Sequence, residues 1–488
     1  MTKLLNNILY NVPLQAVAGK TDIEVGNLVF DSRKVEQDDV FIAINGTAAD
    51  GHDYIKDAEN LGAITIICER LPEELTQGIT YVEVASTGQA LGIMASNYYG
   101  NPSTKIKLAG ITGTNGKTSV ATHLYKLFQS AGYSCGLIST INYMIGDKEL
   151  PSTHTTPDAL QINKMLAEMV EEGCSYCFME VSSHALIQHR IAGLEFAGAV
   201  FTNISHDHLD YHLTFDAYIE AKKTLFDALP KTAFALVNTD DKRGKVMLQN
   251  TRASKHFYAL KSAAEFKAKI ISNNLDGLEL DIDGLQVWFR VFGSFNAYNL
   301  LAVYGAAQLL GMDASEALTL MSNLLAAPGR LERVSNDLGL IALVDYAHTP
   351  DALSKVLETI TEFRSGNEQI ITVFGCGGDR DKDKRPLMSS AACRFSEKVI
   401  MTSDNPRNED PEKILDDMMT GVNASDKRKV LRMTNREEAI KSACMMANKN
   451  DIILVAGKGH EDYQEIKGER LPFDDREVLN RMLTLIKN

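Results

Sequence analysis

The chain has 488 residues, 44% hydrophobic and 23% charged, which excludes a disordered or fibrous protein and allows about three domains of ordinary size. Its formal net charge of −14 argues against a nucleic-acid partner, because nucleic acids are bound through clustered lysine and arginine. The sequence shows no secretory signal and no apolar run of membrane-spanning length, and its seven scattered cysteines are typical of reduced thiols, so we expect a cytoplasmic enzyme without a membrane partner.

The first hundred residues mix short apolar runs with turns, which predicts a small α/β domain over residues 1–105. A central domain, predicted over residues 106–330, begins with strand, glycine loop and helix, as a phosphate-loop domain on a parallel sheet does. Strand-helix alternation starts afresh over residues 331–488 and predicts a Rossmann-like, doubly wound third domain. Strand-like runs of the first domain cover residues 28–30, 40–44, 63–68 and 81–84, and those of the third cover 340–344, 369–374, 398–402 and 452–456.

A glycine-rich loop follows the strand-like run at residues 108–111 and is typical of a phosphate-binding loop, except that Ile111 stands where the strict pattern has glycine. Glycines let backbone N–H groups turn towards an anion, Lys117 reaches the terminal phosphates, and Thr118 can hold Mg²⁺. The alternative is a plain glycine turn. We predict nucleotide binding by Gly113, Thr114, Asn115, Gly116, Lys117, Thr118 and Ser119.

Two further positions of the central domain, one at a helix start and one at a strand end, are places where a ligand would bind. Thr156 and Pro157 are predicted as the N-cap and first residue of a helix; capping alone explains them, or an anion sits at that helix end. Glu180 ends an apolar strand, and the carboxyl edge of a parallel sheet faces ligands. The alternative for Glu180 is a solvated strand end.

The segment 203–212 contains three histidines within seven residues, His206, His208 and His212, which could suggest zinc. No cysteine or glutamate falls at a regular spacing beside them. A phosphate loop calls instead for Mg²⁺, which prefers oxygen ligands and accepts few protein contacts.

Lys222 falls on the apolar stripe of a helix predicted over residues 216–229, whereas Lys223 is predicted to point away from it. A lysine that faces inward snorkels, pairs with an acid, or loses its proton because burial disfavours the charge. A neutral amine can react with CO₂ to give a carbamate.

Three loops that follow strands of the third domain carry charges of both signs. Because the carboxyl ends of parallel strands converge at one edge of a sheet, we expect Arg380 and Arg407 to lie near Asp404 and Glu461. Arginines bind carboxylates through paired hydrogen bonds, and acidic side chains accept hydrogen bonds from ammonium groups. The ligand expected here is therefore a zwitterion such as an amino acid. The alternative is a set of surface ion pairs.

Together these motifs resemble the Mur ligase family, the ATP-dependent enzymes that add amino acids to the peptidoglycan precursor, and the resemblance covers essentially the whole chain. It implies a ligase that forms an acyl phosphate on a UDP-sugar dipeptide and adds meso-diaminopimelate. The matching motifs are Gly113-Thr114-Asn115-Gly116-Lys117-Thr118, Met179-Glu180-Val181-Ser182-Ser183-His184, Asp207-His208-Leu209-Asp210-Tyr211-His212 and Asp404-Asn405-Pro406-Arg407.

The resemblance also implies roles for individual residues. Lys222 is expected to be carbamylated and, with Thr118, Glu180 and His208, to hold Mg²⁺. ATP is expected at Asn299, Arg330 and Asp345 as well as at the loop. The UDP-sugar dipeptide is expected at Ser32, Thr155, Thr156, Ser182, Gln188 and Arg190, and meso-diaminopimelate at Arg380, Asp404, Asn405, Pro406, Arg407, Gly457 and Glu461.

Arg407 resembles the arginine that binds the second carboxylate of meso-diaminopimelate, and the members that add lysine lack it. Lysine as acceptor, a folylpolyglutamate synthase-like ligase, and a phosphate-loop motor or nucleotide-gated module remain alternatives. We expect a monomer. The contacts of loop 47–49 and the roles of His206 and His212 stay open.

Overall fold

The computed structural model describes residues 2–46, 49–205, 207–364 and 366–487, and the side chains of Leu209, Asp210 and Lys487 lie outside that description. Three large β-sheets follow one another along the described chain, each with its own helices, and the α/β fold class is confirmed. None of the helices within the described ranges is long and apolar enough to cross a bilayer.

The N-terminal sheet has five strands, four of them parallel, with Leu14–Ala18 antiparallel at one edge. In spatial order the strands are Leu14–Ala18, Thr80–Val84, Thr65–Cys68, Val40–Ile42 and Leu28–Val29. Strands Lys3–Leu4 and Glu24–Val25 pair separately. The helices are Leu5–Ile8, Ile55–Leu61 and Thr87–Tyr98, with short 3₁₀ turns at Ser32–Lys34, Gly51–Tyr54 and Pro102–Thr104.

The central sheet has eleven strands, and it differs from the expected parallel sheet because antiparallel strands extend both of its ends. In spatial order the strands are Lys148–Pro151, Asn142–Ile145, Cys135–Ile138, Tyr176–Glu180, Lys107–Thr112, Gly198–Phe201, Phe234–Asn238, Ser254–Ala259, Phe266–Asn274, Gly277–Ile282 and Leu285–Phe289. The helices are Lys117–Ser130, Ala159–Glu171, Ser183–Ile187, Leu209–His212, Phe215–Asp227, Gly244–Met247, Ser294–Leu309 and Ala314–Met321.

Both faces of this sheet are covered, as the parallel part of a sheet requires. Side chains alternate along strand Lys107–Thr112, so that Ala109 and Ile111 join one apolar core and Leu108 joins the other. The first core includes helix Lys117–Ser130 and the second includes helix Phe215–Asp227. The phosphate loop and Lys222 therefore lie on elements that well-packed cores hold in place.

The C-terminal sheet has five parallel strands and one antiparallel edge strand, as the doubly wound prediction requires. In spatial order the strands are Glu332–Val334, Ile341–Asp345, Ile452–Ala456, Ile370–Cys376, Lys398–Ser403 and Val430–Arg432, and a hairpin joins Tyr463–Ile466 to Glu469–Pro472. The helices are Pro350–Glu362, Lys384–Phe395, Pro411–Met419, Arg436–Met446 and Asp475–Lys487, with a 3₁₀ turn at Lys427–Lys429. The domain boundaries themselves stay predictions.

One local prediction was wrong and another was incomplete. Thr156 is not an N-cap: helix Ala159–Glu171 begins after Asp158, whose carboxylate accepts from the backbone N–H of Gln161. Lys223, which was predicted to point away from the apolar stripe, is nevertheless buried, with Nζ 2.5 Å from a carboxylate oxygen of Asp227 one turn later. An i,i+4 acid satisfies that buried ammonium, which periodicity alone did not reveal.

Candidate active site

A cleft of about 1640 Å³ lies between the central and C-terminal sheets, and the loops at the carboxyl ends of strands from both sheets line it. Most of the predicted site residues meet there. From the central domain they are Thr114, Asn115, Gly116, Lys117, Thr118, Ser119, Thr155, Thr156, Glu180, Ser182, Arg190, His208, Asn299 and Arg330, and from the C-terminal domain Asp345, Arg380, Asp404, Asn405, Arg407, Gly457 and Glu461.

The phosphate loop joins strand Lys107–Thr112 to helix Lys117–Ser130 in the predicted strand-loop-helix order. Gly113 and Gly116 have φ angles of +147° and +89°, which side-chain-bearing residues rarely adopt. Lys117 Nζ donates to the carbonyl oxygens of Gly113 (3.1 Å) and Thr114 (2.9 Å), and burial lowers the pKa of Lys117. The loop therefore folds around its own lysine.

Lys222 is buried beneath this loop, which rules out snorkelling to solvent. Its Nζ donates to the carbonyl oxygen of Gly113 at 2.8 Å and lies 4.6 Å from the centre of the Tyr218 ring. The Tyr218 hydroxyl in turn lies 3.1 Å from Thr114 Oγ1. Burial, and next the nearby charge of Lys117, lower the pKa of Lys222 well below its usual value. This environment favours the neutral, nucleophilic amine.

Glu180 ends strand Tyr176–Glu180 and is fully buried, so the solvated strand end is excluded. Its carboxylate accepts from Thr118 Oγ1 at 3.1 Å and from the backbone N–H of Thr140 at 2.8 Å. Arg330 Nη2 also donates to Thr118 Oγ1, at 2.9 Å. Thr140 was missed at the sequence level because nothing in its local pattern marks it.

The donor set beside the phosphate loop suits a small hard cation. The Thr118 hydroxyl and Glu180 carboxylate supply oxygen, the ligand type that Mg²⁺ prefers. Within the described ranges no three acidic, histidine or cysteine side chains form a closed metal cage.

Of the histidines in segment 203–212, His208 and His212 both pack against the ring of His184, with ring centroids 4.9 Å and 5.7 Å from it. His208 lines the cleft with a φ of +54° and has Nε2 3.5 Å from a carboxylate oxygen of Asp207. His212 is buried with Nε2 2.9 Å from Ser183 Oγ, so it contacts the segment after Glu180. His206 lies outside the described residues.

Five of the residues expected at the UDP-sugar dipeptide surround the end of the Glu180 strand. Thr156 Oγ1 donates to the carbonyl oxygen of Glu180 (2.7 Å) and accepts from the backbone N–H of Ser182 (3.1 Å). Arg190 donates to the Thr156 carbonyl oxygen at 2.6 Å and to Gln188 Oε1 at 3.0 Å and 2.6 Å. Thr155 Oγ1 accepts from Thr140 Oγ1 at 3.1 Å. These contacts form one connected polar network on the cleft wall.

Some predicted residues do not line the cleft. Ser32 begins a 3₁₀ turn in the N-terminal domain, and the prediction for loop 47–49 falls largely outside the described residues, since 47 and 48 are not described. Nor do Gly113, Gln188, Lys222 and Pro406 line it, although Gln188 accepts from the lining residue Arg190 and Lys222 donates to Gly113 of the phosphate loop.

Asn299 and Asp345 are buried at the rim of the phosphate loop. The side-chain oxygen of Asn299 packs so close to Gly116 that a Cβ there would lie 2.5 Å from it. The Asp345 carboxylate accepts from the backbone N–H groups of Leu331 (2.6 Å) and Ala347 (2.7 Å), and burial raises the pKa of Asp345. Asp345 thereby holds the segment that carries Arg330.

One direct link between the two domains was not predicted. Asp351, on helix Pro350–Glu362, accepts at a single carboxylate oxygen from Asn115 Nδ2 (3.1 Å), Ser205 Oγ (2.8 Å) and Lys355 Nζ (2.8 Å). The C-terminal domain therefore holds the phosphate loop by a side chain.

The charged loops of the C-terminal domain lie together, as expected. Arg407, with a φ of +49°, donates from Nη1 to the Gly378 carbonyl oxygen at 2.8 Å and has Nε 3.5 Å from Glu465. Asn405 Nδ2 donates to Glu461 Oε2 at 2.8 Å, and Arg380 is exposed at the rim. Side chains of both signs thus meet at one edge of the sheet.

Three family descriptions match the chain: "Mur ligase family, catalytic domain" over residues 24–99, "Mur ligase middle domain" over 111–307 and "Mur ligase, glutamate ligase domain" over 329–459.

Two curated relatives, both named UDP-N-acetylmuramoyl-L-alanyl-D-glutamate–2,6-diaminopimelate ligase, are similar over nearly their full length. The protein from Cytophaga hutchinsonii is 56% identical over 98% of this chain and 99% of its own, and that from Phocaeicola vulgatus is 50% identical over 97% and 98%. A solved structure of a ligase of the same name is 32% identical over 100% of both chains, with a TM-score of 0.70. The chain therefore belongs to the Mur ligase family.

Proposed function

We propose that this ligase uses ATP to join meso-diaminopimelate to UDP-N-acetylmuramoyl-L-alanyl-D-glutamate, in the cytoplasmic assembly of the peptidoglycan precursor. One observation carries the proposal: a single cleft holds a phosphate loop on one wall and, on the other, arginines and carboxylates suited to a zwitterion. The names of the relatives agree with this chemistry.

Each domain takes one substrate in this proposal. The domain over residues 1–105, including Ser32, helps to bind the UDP-sugar. The domain over 106–330 binds ATP at the phosphate loop, with Asn299 and Arg330, and Asp345 assists from the third. The domain over 331–488 binds the amino acid.

The reaction begins when an oxygen of the D-glutamyl side-chain carboxylate attacks the γ-phosphorus of ATP. The bond from that phosphorus to the bridging oxygen breaks, and ADP leaves with the electron pair. The amine of diaminopimelate then attacks the acyl carbon, the bond to phosphate breaks, and an amide, phosphate and a proton are released. Lys117 and Arg330 would neutralise charge on the moving phosphoryl group, which is the main catalytic task in such a transfer.

The remaining residues of the cleft orient the dipeptide and exclude water. Thr155, Thr156, Ser182 and Arg190 would hold the dipeptide, and Gln188 positions Arg190. Closure of the C-terminal domain over the phosphate loop would keep water from the acyl phosphate. Mg²⁺ held by Thr118, Glu180, His208 and a modified Lys222 would supply further positive charge to the phosphates.

The surroundings of Lys222 support its carbamylation. Its lowered pKa leaves a neutral amine that reacts with CO₂, and the product carries a carboxylate where the unmodified side chain carries no oxygen. That change would turn a poorly placed cation into an oxygen ligand.

Acceptor choice rests on Arg407 in this proposal, because meso-diaminopimelate differs from lysine by one carboxylate. A bidentate arginine contact to that group would be worth several kcal/mol, on the order of the 2 to 5 lost when a buried charge pair is truncated.

Phosphate release by the purified protein tests the proposal. It should require both the UDP-linked dipeptide and meso-diaminopimelate. Equal rates with lysine would remove the selectivity claim, turnover of a folate with glutamate would favour a folylpolyglutamate synthase-like ligase, and ATP hydrolysis independent of any acceptor would favour a motor or gated module.

A further inference from the structure

Lys458 is a fully buried cation at the centre of the charged loops, and no motif singled it out as a ligand-binding residue. Its Nζ donates to Asn405 Oδ1 at 3.1 Å and to Glu461 Oε2 at 3.1 Å. Asn405 Nδ2 donates to the same Glu461 oxygen at 2.8 Å. One ammonium therefore ties the loop after strand Lys398–Ser403 to the loop after strand Ile452–Ala456.

A second carboxylate belongs to the same group. Asp404 is buried, and its carboxylate packs so close to Gly457 that a Cβ there would lie 2.7 Å from it. The Asp404 carboxylate thus lies beside the segment that carries Lys458, and the charge of Lys458 lowers the pKa of Asp404. The neighbouring Arg436 forms two hydrogen bonds of 2.7 Å each with Asp475, so this pair adds no net charge, although the guanidinium still lowers the pKa of Asp404.

We propose that Lys458 is a positioning residue that sets the charge of the acceptor site, leaving Asp404 and Glu461 with one net negative charge for one ammonium group of the incoming amino acid. The inference rests on the proposed function, since the ammonium belongs to the acceptor of that reaction. Without Lys458, two buried carboxylates would repel each other, and one would take up a proton instead of binding the amino acid.

The pKa shifts of the charged and titratable groups around Glu461 agree with this role of Lys458. Burial and the charge of Asp404 raise the pKa of Glu461, whereas Lys458 lowers it. For Asp404, burial raises the pKa, but Lys458, Arg436 and Arg407 outweigh it and bring the pKa below its usual value. Tyr346 and Tyr463 also face Glu461, and burial raises the pKa of both hydroxyls, so both stay neutral.

The first test is Lys458→Met, assayed by phosphate release. We expect KM for the acceptor to rise by about tenfold or more, while KM for ATP changes little. The acid limb of kcat/KM for the acceptor should move to higher pH, because Glu461 loses the cation that keeps it ionised. Lys458→Arg should return the limb towards its original position. An unmoved limb together with an unchanged acceptor KM would overturn the inference.

A second comparison works even if Lys458→Met folds poorly. Glu461→Gln leaves the site with no net charge, whereas Lys458→Met/Glu461→Gln restores one negative charge. The double variant should therefore bind the acceptor better than Glu461→Gln alone. If Lys458 were purely structural, the double variant would bind the acceptor more weakly than Glu461→Gln alone. That result would refute the charge balance.

Thermal unfolding supplies a readout that needs no substrate. Lys458→Met should unfold at a lower temperature than the double variant, because only the single variant carries two uncompensated carboxylates. Lys429→Met is the matched control: this half-buried lysine of the same domain donates to the Cys393 carbonyl oxygen, away from the cleft. Absence of wild-type ligase turnover would refute the proposed function, while the order of unfolding temperatures would still decide the charge balance.

Discussion

The Nζ atom of Lys222 donates a hydrogen bond to the backbone carbonyl oxygen of Gly113 at 2.8 Å. A lysine from helix Phe215–Asp227 is thereby tied to the first glycine of the phosphate loop, 109 residues earlier in the chain. Any change in the charge or length of this side chain acts directly on the conformation of the loop.

Lys222→Ala should abolish ligase activity, because it removes both this contact and the amine that CO₂ would modify. Partial rescue by added short-chain carboxylates is expected, since they would replace the carbamate oxygens. Lys223→Ala is the matched control, because it removes the adjacent buried lysine, whose partner is Asp227 rather than the loop. Phosphate release measures both variants, and absence of rescue would count against the carbamate.

Arg407→Ala should raise KM for meso-diaminopimelate by about thirtyfold, the lower end of the effect of truncating a buried charge pair, because this side chain is 20% exposed. KM for lysine should change little, so the preference between the two amino acids should shrink. Arg432→Ala, which removes an arginine of the same domain paired with Glu412 and Asp416, should leave that preference intact. A retained preference in Arg407→Ala would assign selectivity to another residue.

Asp351→Asn should lower kcat/KM for ATP by about tenfold, because it weakens hydrogen bonds of a charged acceptor to Asn115 and Ser205. The matched comparison measures kcat/KM for ATP in Ser205→Ala and in the double variant Asp351→Asn/Ser205→Ala. Since Ser205 bonds to the same carboxylate, the two effects should be less than additive. Fully additive losses would show that Asp351 acts on the loop by another route.

His123 should make the central domain sensitive to acid. Burial lowers the pKa of His123 from 6.5 to about 4, so below pH 6.5 the unfolded chain binds a proton that the folded chain does not. The contribution of neutral, buried His123 to the free energy of unfolding is complete above pH 6.5. It is lost as the pH falls towards 4, a change of roughly 3 kcal/mol. In thermal unfolding across this range, His123→Gln should show a shallower loss of stability than the wild type. Equal pH dependence in the two proteins would exclude His123 as the cause.

Local patterns in the sequence were enough to predict the three α/β units, the phosphate loop and the inward direction of Lys222. Strand periodicity and glycine spacing are local properties, and parallel strands bring their carboxyl ends to one edge whatever the loops contain. Thr156 shows where such reasoning ended: its position before Pro157 matches a helix cap, yet its hydroxyl bonds to the Glu180 carbonyl oxygen, on a strand distant in sequence.

The sequence by itself determined which chemical groups this protein has and in which loops they stand. Tertiary structure alone decided which of those groups meet: Asp351 with Asn115, Thr140 with Glu180, and Lys458 with Asn405 and Glu461. None of these pairs has a local signal, because each joins elements separated by many residues, apart from the short step from Lys458 to Glu461. Burial at these contacts arises only when separate sheets pack together, and it is burial that gives Lys222 and Lys458 their unusual environments.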